Sequence, residues 1–114
     1  MGNNVFYCYI RLKKAPQTEL PLVIRQAIFA NYGERINLFL SVCKEHEIEA
    51  CLAEKVLLWN ERMAKSKMSF DDAEIVIHQI QISNGGLELS HEIMKSIADA
   101  NLTLCITRSV CELI

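Results

Sequence analysis

The last third of the chain changes its hydrophobic period twice, and no other feature constrains the fold as strongly. Apolar residues alternate with polar ones over 79–82, a glycine turn follows at 84–86, helical spacing occupies 91–101, and alternation returns over 102–107. Alternation distributes side chains over the two faces of a strand, whereas spacings of three and four residues put them on one face of a helix. A segment that needs both a sheet and a helix predicts an α+β fold.

Strands are predicted near 5–12, 74–83, 86–89 and 102–108, in a small antiparallel or mixed sheet. The first of them is rich in aromatic and β-branched residues and is apolar on both faces, which indicates a central strand. The second contains four Ile and one Val, whose branched side chains pack well on a pleated surface. Because Asn84-Gly85-Gly86 provides the positive φ angles of a tight turn, we expect a hairpin that continues into 86–89.

Helices are predicted near 19–32, 34–46, 48–65 and 91–101, packed against this sheet. The segment 36–43 is ambiguous, because its alternate apolar residues also fit a strand. A strand would leave Phe39 and Cys43 on its polar side, whereas a helix gathers every apolar residue on one side, so we favour the helix. In the last helix, Ser90 is a suitable N-cap and Asn101 a suitable end.

Length and composition indicate one domain spanning 1–114. Hydrophobic residues make up 51% and charged residues 23%, which is a globular composition, and the net charge is −2. A nucleic-acid-binding protein usually carries a basic surplus, so nucleic acid is disfavoured as a partner. No apolar run is long enough to cross a bilayer, and the first residues lack a signal-peptide pattern. Together with five irregularly spaced cysteines, these features lead us to expect reduced thiols, a cytoplasmic location and no membrane partner.

The histidines do not complete a zinc-peptidase motif. His46-Glu47 and His91-Glu92 both begin like that pattern, in which a second histidine follows four residues after the first. Ala50 and Lys95 stand at those positions instead. We therefore exclude zinc-peptidase chemistry.

A second arrangement of possible metal ligands lacks the partners that zinc requires. On one unbroken helix, a single side would carry Cys43, His46, Glu47 and Cys51. Structural zinc sites usually join two ligand pairs, and no second pair is present. We expect no metal, no cofactor and no catalytic residue, and we interpret the protein as a non-enzyme.

The run from Ile82 to Leu104 resembles the end of several small bacterial proteins, in which a strand, a serine-capped helix and a final strand follow one another. Those proteins belong to uncharacterised families of the immunity-protein type, associated with polymorphic-toxin and contact-dependent-inhibition systems. The resemblance implies a partner protein, namely a toxin domain. It implies no individual site residue.

We predict a protein-binding module, with immunity to a toxin domain as its most specific form. A protein that neutralises a nucleic-acid-cleaving toxin would present acidic residues to a basic active site. The candidate partner-binding residues are therefore acidic, and they are Glu45, Glu47, Glu49, Asp71, Asp72 and Glu74.

Other interpretations remain open at this point. One is a small enzyme or ligand-binding protein that uses a cleft containing a Cys and a His, and another is a nucleic-acid-associated regulator with a basic stripe that includes Arg11. A homodimer is possible if the strand 5–12 lies at an exposed sheet edge. Trp59 is expected in the core, although Leu57, Leu58 and Trp59 cannot all face it.

Overall fold

The structure is a computed structural model, and it describes residues 5–12, 22–26, 28–32, 35–66, 72–81 and 87–110. Within these ranges, strands and helices are combined in one sheet and one helical layer, so the predicted α+β fold is confirmed. A 3₁₀ turn at Glu45–Glu47 leads from the third strand into the long helix. The elements are β1 (Val5–Leu12), α1 (Leu22–Arg25), β2 (Ile28–Tyr32), β3 (Arg35–Lys44), α2 (Ile48–Ser66), β4 (Ala73–Gln81), α3 (His91–Asp99) and β5 (Thr103–Val110).

The strand β1 lies at the centre of a mixed sheet whose order is β2-β3-β1-β4-β5. Neighbouring strands are antiparallel, except that β4 and β5 are parallel. From β1 to β4 the chain therefore follows the β-α-β-β-α-β order of the split β-α-β arrangement, and α3 and β5 extend it at one edge. The central position predicted for 5–12 is confirmed. The condition for a dimer through this strand is not met, because β1 already pairs on both sides.

The core lies between one face of the sheet and α2. Alternate residues of β1, namely Phe6, Cys8, Ile10 and Leu12, have no exposed surface. Leu52 and Trp59 of α2 belong to the same buried cluster, so the core position expected for Trp59 is confirmed. Each such side chain contributes about 1.5–3 kcal/mol by leaving water. Leu57, which is 59% exposed, is the neighbour of Trp59 that faces solvent.

A bulge in β3 accounts for the wrong prediction of a helix over 34–46. Cys8 pairs with Ser41 and Ile10 pairs with Leu38, so Phe39 and Leu40 together lie opposite Tyr9. Phe39 has a φ of 58°, in the left-handed region that a bulge of this kind uses. Its ring is partly buried, and the guanidinium carbon of Arg62 on α2 lies 5.6 Å from the ring centroid.

The extra residue reverses the alternation of β3 at its middle. Ile36 and Leu38 face the core before the bulge, and Cys43 faces it afterwards, so inward positions change from even to odd numbers. A strand with this change has no constant period of two, and its apolar positions fit a helical wheel instead. Cys43 is thus buried in a strand, which removes the objection that favoured the helix.

Replacing Phe39 tests whether its backbone conformation is strained. We expect Phe39→Gly to be more stable than Phe39→Ala by about 1 kcal/mol, because both lose the ring but only glycine adopts a positive φ without cost. Denaturant titration would give the two free energies of unfolding. At Leu40, which is not among the positive-φ residues, alanine should be the more stable replacement. The same order at both positions would contradict a strained Phe39.

The helix predicted over 19–32 is wrong beyond its first half. The described part is a helix over Leu22–Arg25 only, and Ile28–Tyr32 is a strand that pairs with β3. Branched and aromatic residues in this segment gain a sheet partner, which outweighs a helical spacing that is only a few residues long. Residues 19–21 lie outside the described ranges.

The strand predicted over 86–89 is also wrong. Leu87 to Ser90 has no regular structure, and Leu87 and Leu89 pack against the core instead. The partner of β4 is β5, and because these strands are parallel they need a crossover, which α3 provides. The predicted turn at 84–86 lies outside the described residues.

The two ends of α3 agree with the prediction. The Ser90 hydroxyl accepts a hydrogen bond from the Ile93 N–H at 3.3 Å. At the other end Asn101 has a φ of 57°, its N–H donates to the Ala98 carbonyl, and the Leu102 N–H donates to the Ile97 carbonyl. These two bonds form a Schellman motif, which ends the helix at Asn101.

Candidate functional site

Three of the predicted partner-binding residues lie where β3 leads into α2. Glu45 and Glu47 occupy the 3₁₀ turn, Glu49 lies in the first turn of α2, and all three are exposed. The Glu47 carboxylate accepts a hydrogen bond from the Lys44 N–H at 3.0 Å, which fixes the beginning of the turn. Carboxylates here also complement the partial positive charge of the helix N-terminus.

A side-chain contact joins this corner to the beginning of α3. The Ser90 N–H donates to Glu49 Oε1 at 3.3 Å, and the Ser90 hydroxyl donates to the same oxygen. Glu88 and Glu92 lie two residues to either side of Ser90, and both are exposed. The contact therefore gathers five glutamates at one end of the molecule. This surface, the acidic end, consists of Glu45, Glu47, Glu49, Glu88 and Glu92.

Negative charge is concentrated at the acidic end. Its two segments, 44–49 and 87–95, contain five glutamates against Lys44 and Lys95, which gives a net charge of −3 with neutral histidines. The whole chain has a net charge of −2, so all remaining residues together carry +1. The mild acidity of the chain is thus the property of one surface.

The other predicted acidic residues do not join this surface. Glu74 is only 6% exposed, and Asp72, which is partly exposed, comes directly before β4. Ala73 pairs with Leu12 at one end of β1, whereas Lys44 pairs with Val5 at the other end. The two acidic groups are therefore about 20 Å apart along the strand. Asp71 lies outside the described residues.

Ser90 positions the two halves of the acidic end, and its replacement tests that role. We expect Ser90→Ala to lower the free energy of unfolding by about 1–2 kcal/mol, because it removes the cap of α3 and the bond to Glu49. Thermal and denaturant unfolding would measure the change. Ser96→Ala is a matched control, since Ser96 is exposed within α3 and its hydroxyl only donates to the Glu92 carbonyl. Equal effects of the two replacements would contradict the positioning role.

The sheet face opposite α2 carries a row of polar side chains. The register of the strands places four of these residues side by side in one row, namely Asn37, Arg11, Glu74 and Thr103. Arg11 Nε and Nη2 lie 2.9 and 2.8 Å from Glu74 Oε1, and Nη2 lies 3.6 Å from the Cys105 sulfur. Burial lowers the pKa of Arg11, but the hydrogen bond and the charge of Glu74 outweigh it and hold that pKa above its ordinary value. The negative charge of Glu74 is thus compensated by Arg11 within the protein.

A second row on this face contains the histidine of β4. The rings of Tyr7 and His78 stack with their centroids 6.5 Å apart, and His78 Nδ1 lies 2.5 Å from the Thr107 hydroxyl oxygen. Cys105, which pairs with Val76, is diagonal to His78 in the β4–β5 ladder. A cysteine and a histidine therefore share one sheet face, whereas the ligand-binding interpretation requires a cleft that contains both. We refer to the two rows and Cys105 as the polar face.

A group of three thiols and a lysine lies between β1, β3 and α2, with Cys8, Cys43 and Lys55 buried and Cys51 partly buried. The Cys8 and Cys43 sulfurs are 3.8 Å apart, and the Cys43 thiol hydrogen-bonds with that of Cys51. Lys55 is 1% exposed, and its Nζ lies 2.5 Å from the Ser41 hydroxyl oxygen and 3.2 Å from Glu54 Oε1. Burial raises the pKa of Cys8, and it raises the pKa of Cys43 and of Cys51 to about 11. The three thiols are therefore protonated at neutral pH and are poor nucleophiles.

The raised pKa values of Cys43 and Cys51 predict that the protein loses stability in alkaline solution. Cys43 and Cys51 have pKa values of about 11 when folded against an ordinary 9.0, so the unfolded chain releases their protons first. Their contribution to the free energy of unfolding is constant below pH 9 and is lost as the pH rises towards 11. The slope of this loss is at most about 1.4 kcal/mol per pH unit for each thiol. Denaturant titration across this range would measure it.

The comparison that isolates the thiols uses the unaltered chain and one alanine variant. Cys51→Ala should reduce the alkaline slope relative to the unaltered chain. Lysine and tyrosine titrate in the same range, but they are common to both proteins. An unchanged slope in Cys51→Ala would contradict the assignment.

Of the four possible metal ligands only Cys43 and Cys51 come together. Cys43 belongs to β3 rather than to a helix, and it is buried, whereas His46 and Glu47 are exposed. Among the described residues, no three His, Cys, Asp or Glu side chains are placed to hold a metal ion. In the same part of the chain, no helix is both long enough and apolar enough to span a membrane.

No family model matches the chain, and no curated protein or solved structure is significantly similar to it. Arguments about function therefore depend on the surfaces described above.

Proposed function

We propose that the protein is a cytoplasmic protein-binding module whose acidic end binds a basic protein. Immunity to a toxin domain is the most specific form of this proposal. The observation that carries it is the concentration of charge at the acidic end, where five exposed glutamates lie on two segments joined by the Ser90–Glu49 contact.

The chemistry of the acidic end favours a protein as its partner. Its net negative charge repels nucleic acid and anionic lipid surfaces, and it attracts a protein with a basic surface. Exposed carboxylates of this kind accelerate association by steering a basic partner into contact. A toxin that cleaves nucleic acid needs a basic substrate site, and such a site has the complementary charge.

A pair of matched variants tests whether the acidic end binds. Glu45→Gln/Glu92→Gln removes one charge from each segment of the acidic end. The control pair Glu61→Gln/Asp99→Asn removes one charge from α2 and one from α3, outside the acidic end, and both residues are exposed. Each protein, with the unaltered chain, would serve as bait in extracts of the native host, and the captured protein would be purified.

We expect the captured protein to be basic and to associate with the Glu45→Gln/Glu92→Gln variant roughly tenfold more slowly at low salt. The association rate of the control pair should stay within about twofold of the unaltered chain. In the immunity form, the captured protein inhibits growth when expressed alone, and co-expression of the unaltered chain relieves the inhibition. A captured protein that is acidic, or that binds both variants at the same rate, would contradict the proposal.

A second candidate function is ligand binding at the polar face. Asn37 is 6% exposed, and its Oδ1 is buried without a hydrogen-bond partner among the described residues. A buried acceptor of this kind costs about 1–3 kcal/mol unless a donor reaches it, so a ligand at this position would need an N–H or O–H group. Amide and ammonium fragments should shift the NMR signals of Asn37 and Cys105 but not those of Glu45, and uniform absence of shifts would rule the site out.

A further inference from the structure

We propose that β5 pairs with β5 of a second copy of the chain, in an antiparallel arrangement about a two-fold axis that passes beside Cys105. This inference goes beyond the proposed function, because it concerns the β5 edge of the sheet and not the acidic end, and because it names a different partner. It begins from the position of β5 at the edge of the sheet, where one side of its backbone is paired with β4 and the other has no strand beside it among the described elements.

The edge formed by β5 carries few of the features that usually prevent strand pairing, and its single charged residue is Arg108. This edge is eight residues long and stays in register with β4 throughout, without a bulge. The residues from Thr103 to Thr107 include no charge, no proline and no glycine. Natural edges are commonly protected by such residues, by bulges or by shortness. The opposite edge shows this protection, because β2 has five residues and an irregular register between Ile28 and Ala30.

The sequence of β5 is self-complementary around Cys105. In an antiparallel pair centred on Cys105, Thr103 lies opposite Thr107 of the second copy and Leu104 lies opposite Ile106 of the second copy. The Cys105 residues of the two copies then lie opposite each other. A two-fold axis requires the same patch on both copies, so any charge near it would face a like charge. The absence of charge from Thr103 to Thr107 removes that obstacle, and the pairing joins apolar to apolar and hydroxyl to hydroxyl residues.

The exposure of the side chains agrees with this register. Ile106 pairs with Ile77 and therefore lies on the helical side of the sheet, where it is 52% exposed. Leu104, on the same side, is only partly buried. In the dimer each Ile106 would be covered by Leu104 of the second copy. A foreign strand would also satisfy the edge, but nothing in the structure selects its sequence, whereas β5 itself supplies a matching one.

The solution experiment compares oligomeric state for two lysine variants. Sedimentation analysis of the full chain from micromolar to millimolar concentration should show a reversible monomer–dimer equilibrium. Ile106→Lys should be monomeric, because a lysine at the edge opposes pairing. Leu57→Lys is the matched control, since Leu57 is an exposed apolar residue on α2, and it should dimerise like the unaltered chain. Circular dichroism would check that both variants are folded.

Cross-linking locates the axis independently of these variants. Directly opposite residues in an antiparallel pair have Cα atoms about 4.5–5.5 Å apart, which is within disulfide range. Oxidised glutathione should therefore link the two Cys105 thiols of a dimer, forming one disulfide and releasing two molecules of reduced glutathione. A Cys111→Ser background and peptide mass spectrometry would identify the bond. Cys105→Ser should abolish the covalent dimer but retain the reversible one.

Three results would overturn the proposal. They are a monomer at all concentrations, a dimer that persists in Ile106→Lys, and a disulfide through a cysteine other than Cys105. The last two would assign dimerisation to another surface. Hydrogen exchange provides a measurement without substitution, since amides of β5 should be more protected at high protein concentration than at low concentration.

Discussion

The contact between β1 and α2 is the interaction on which the rest of the structure depends. Side chains from one face of β1 have no exposed surface, and α2 covers them with Leu52 and Trp59. Among the described strands, β1 is also the one that joins the β2–β3 half of the sheet to the β4–β5 half. Disruption of this contact would therefore separate the beginning of α2 from the beginning of α3, and with them the two segments of the acidic end.

Segments with a constant period could be predicted from the sequence, and those without one could not. β1, α2, β4, α3 and β5 each keep a single pattern, and Ser90 and Asn101 have capping roles that depend on local geometry alone. β3 changes its inward positions at Phe39, and no local signal announces a left-handed phenylalanine. Cys43 and Cys51 nevertheless come together, although they meet across a strand and a helix and not on one helix.

The acidic end was also predictable only where its residues are close together in the sequence. Glu45, Glu47 and Glu49 are adjacent in sequence, so their common surface could be predicted. Glu88 and Glu92 join them only through the bond between Ser90 and Glu49, whose partners are 41 residues apart. Glu74 was misplaced for a related reason, since its partner Arg11 is 63 residues away and the pairing follows from strand register. Charge counts along the sequence cannot distinguish a solvated carboxylate from a paired one.

The parallel pairing of β4 with β5 has a consequence for the newly made chain. Ala73–Gln81 is rich in β-branched residues, with Glu74 as its only carboxylate, and it is completed before α3 and β5 are synthesised. During that interval one edge of β4 is uncovered, and segments of this composition associate readily with copies of themselves. The unit of α3 and β5 therefore does more than extend the sheet, because it seals the edge from which aggregation would start.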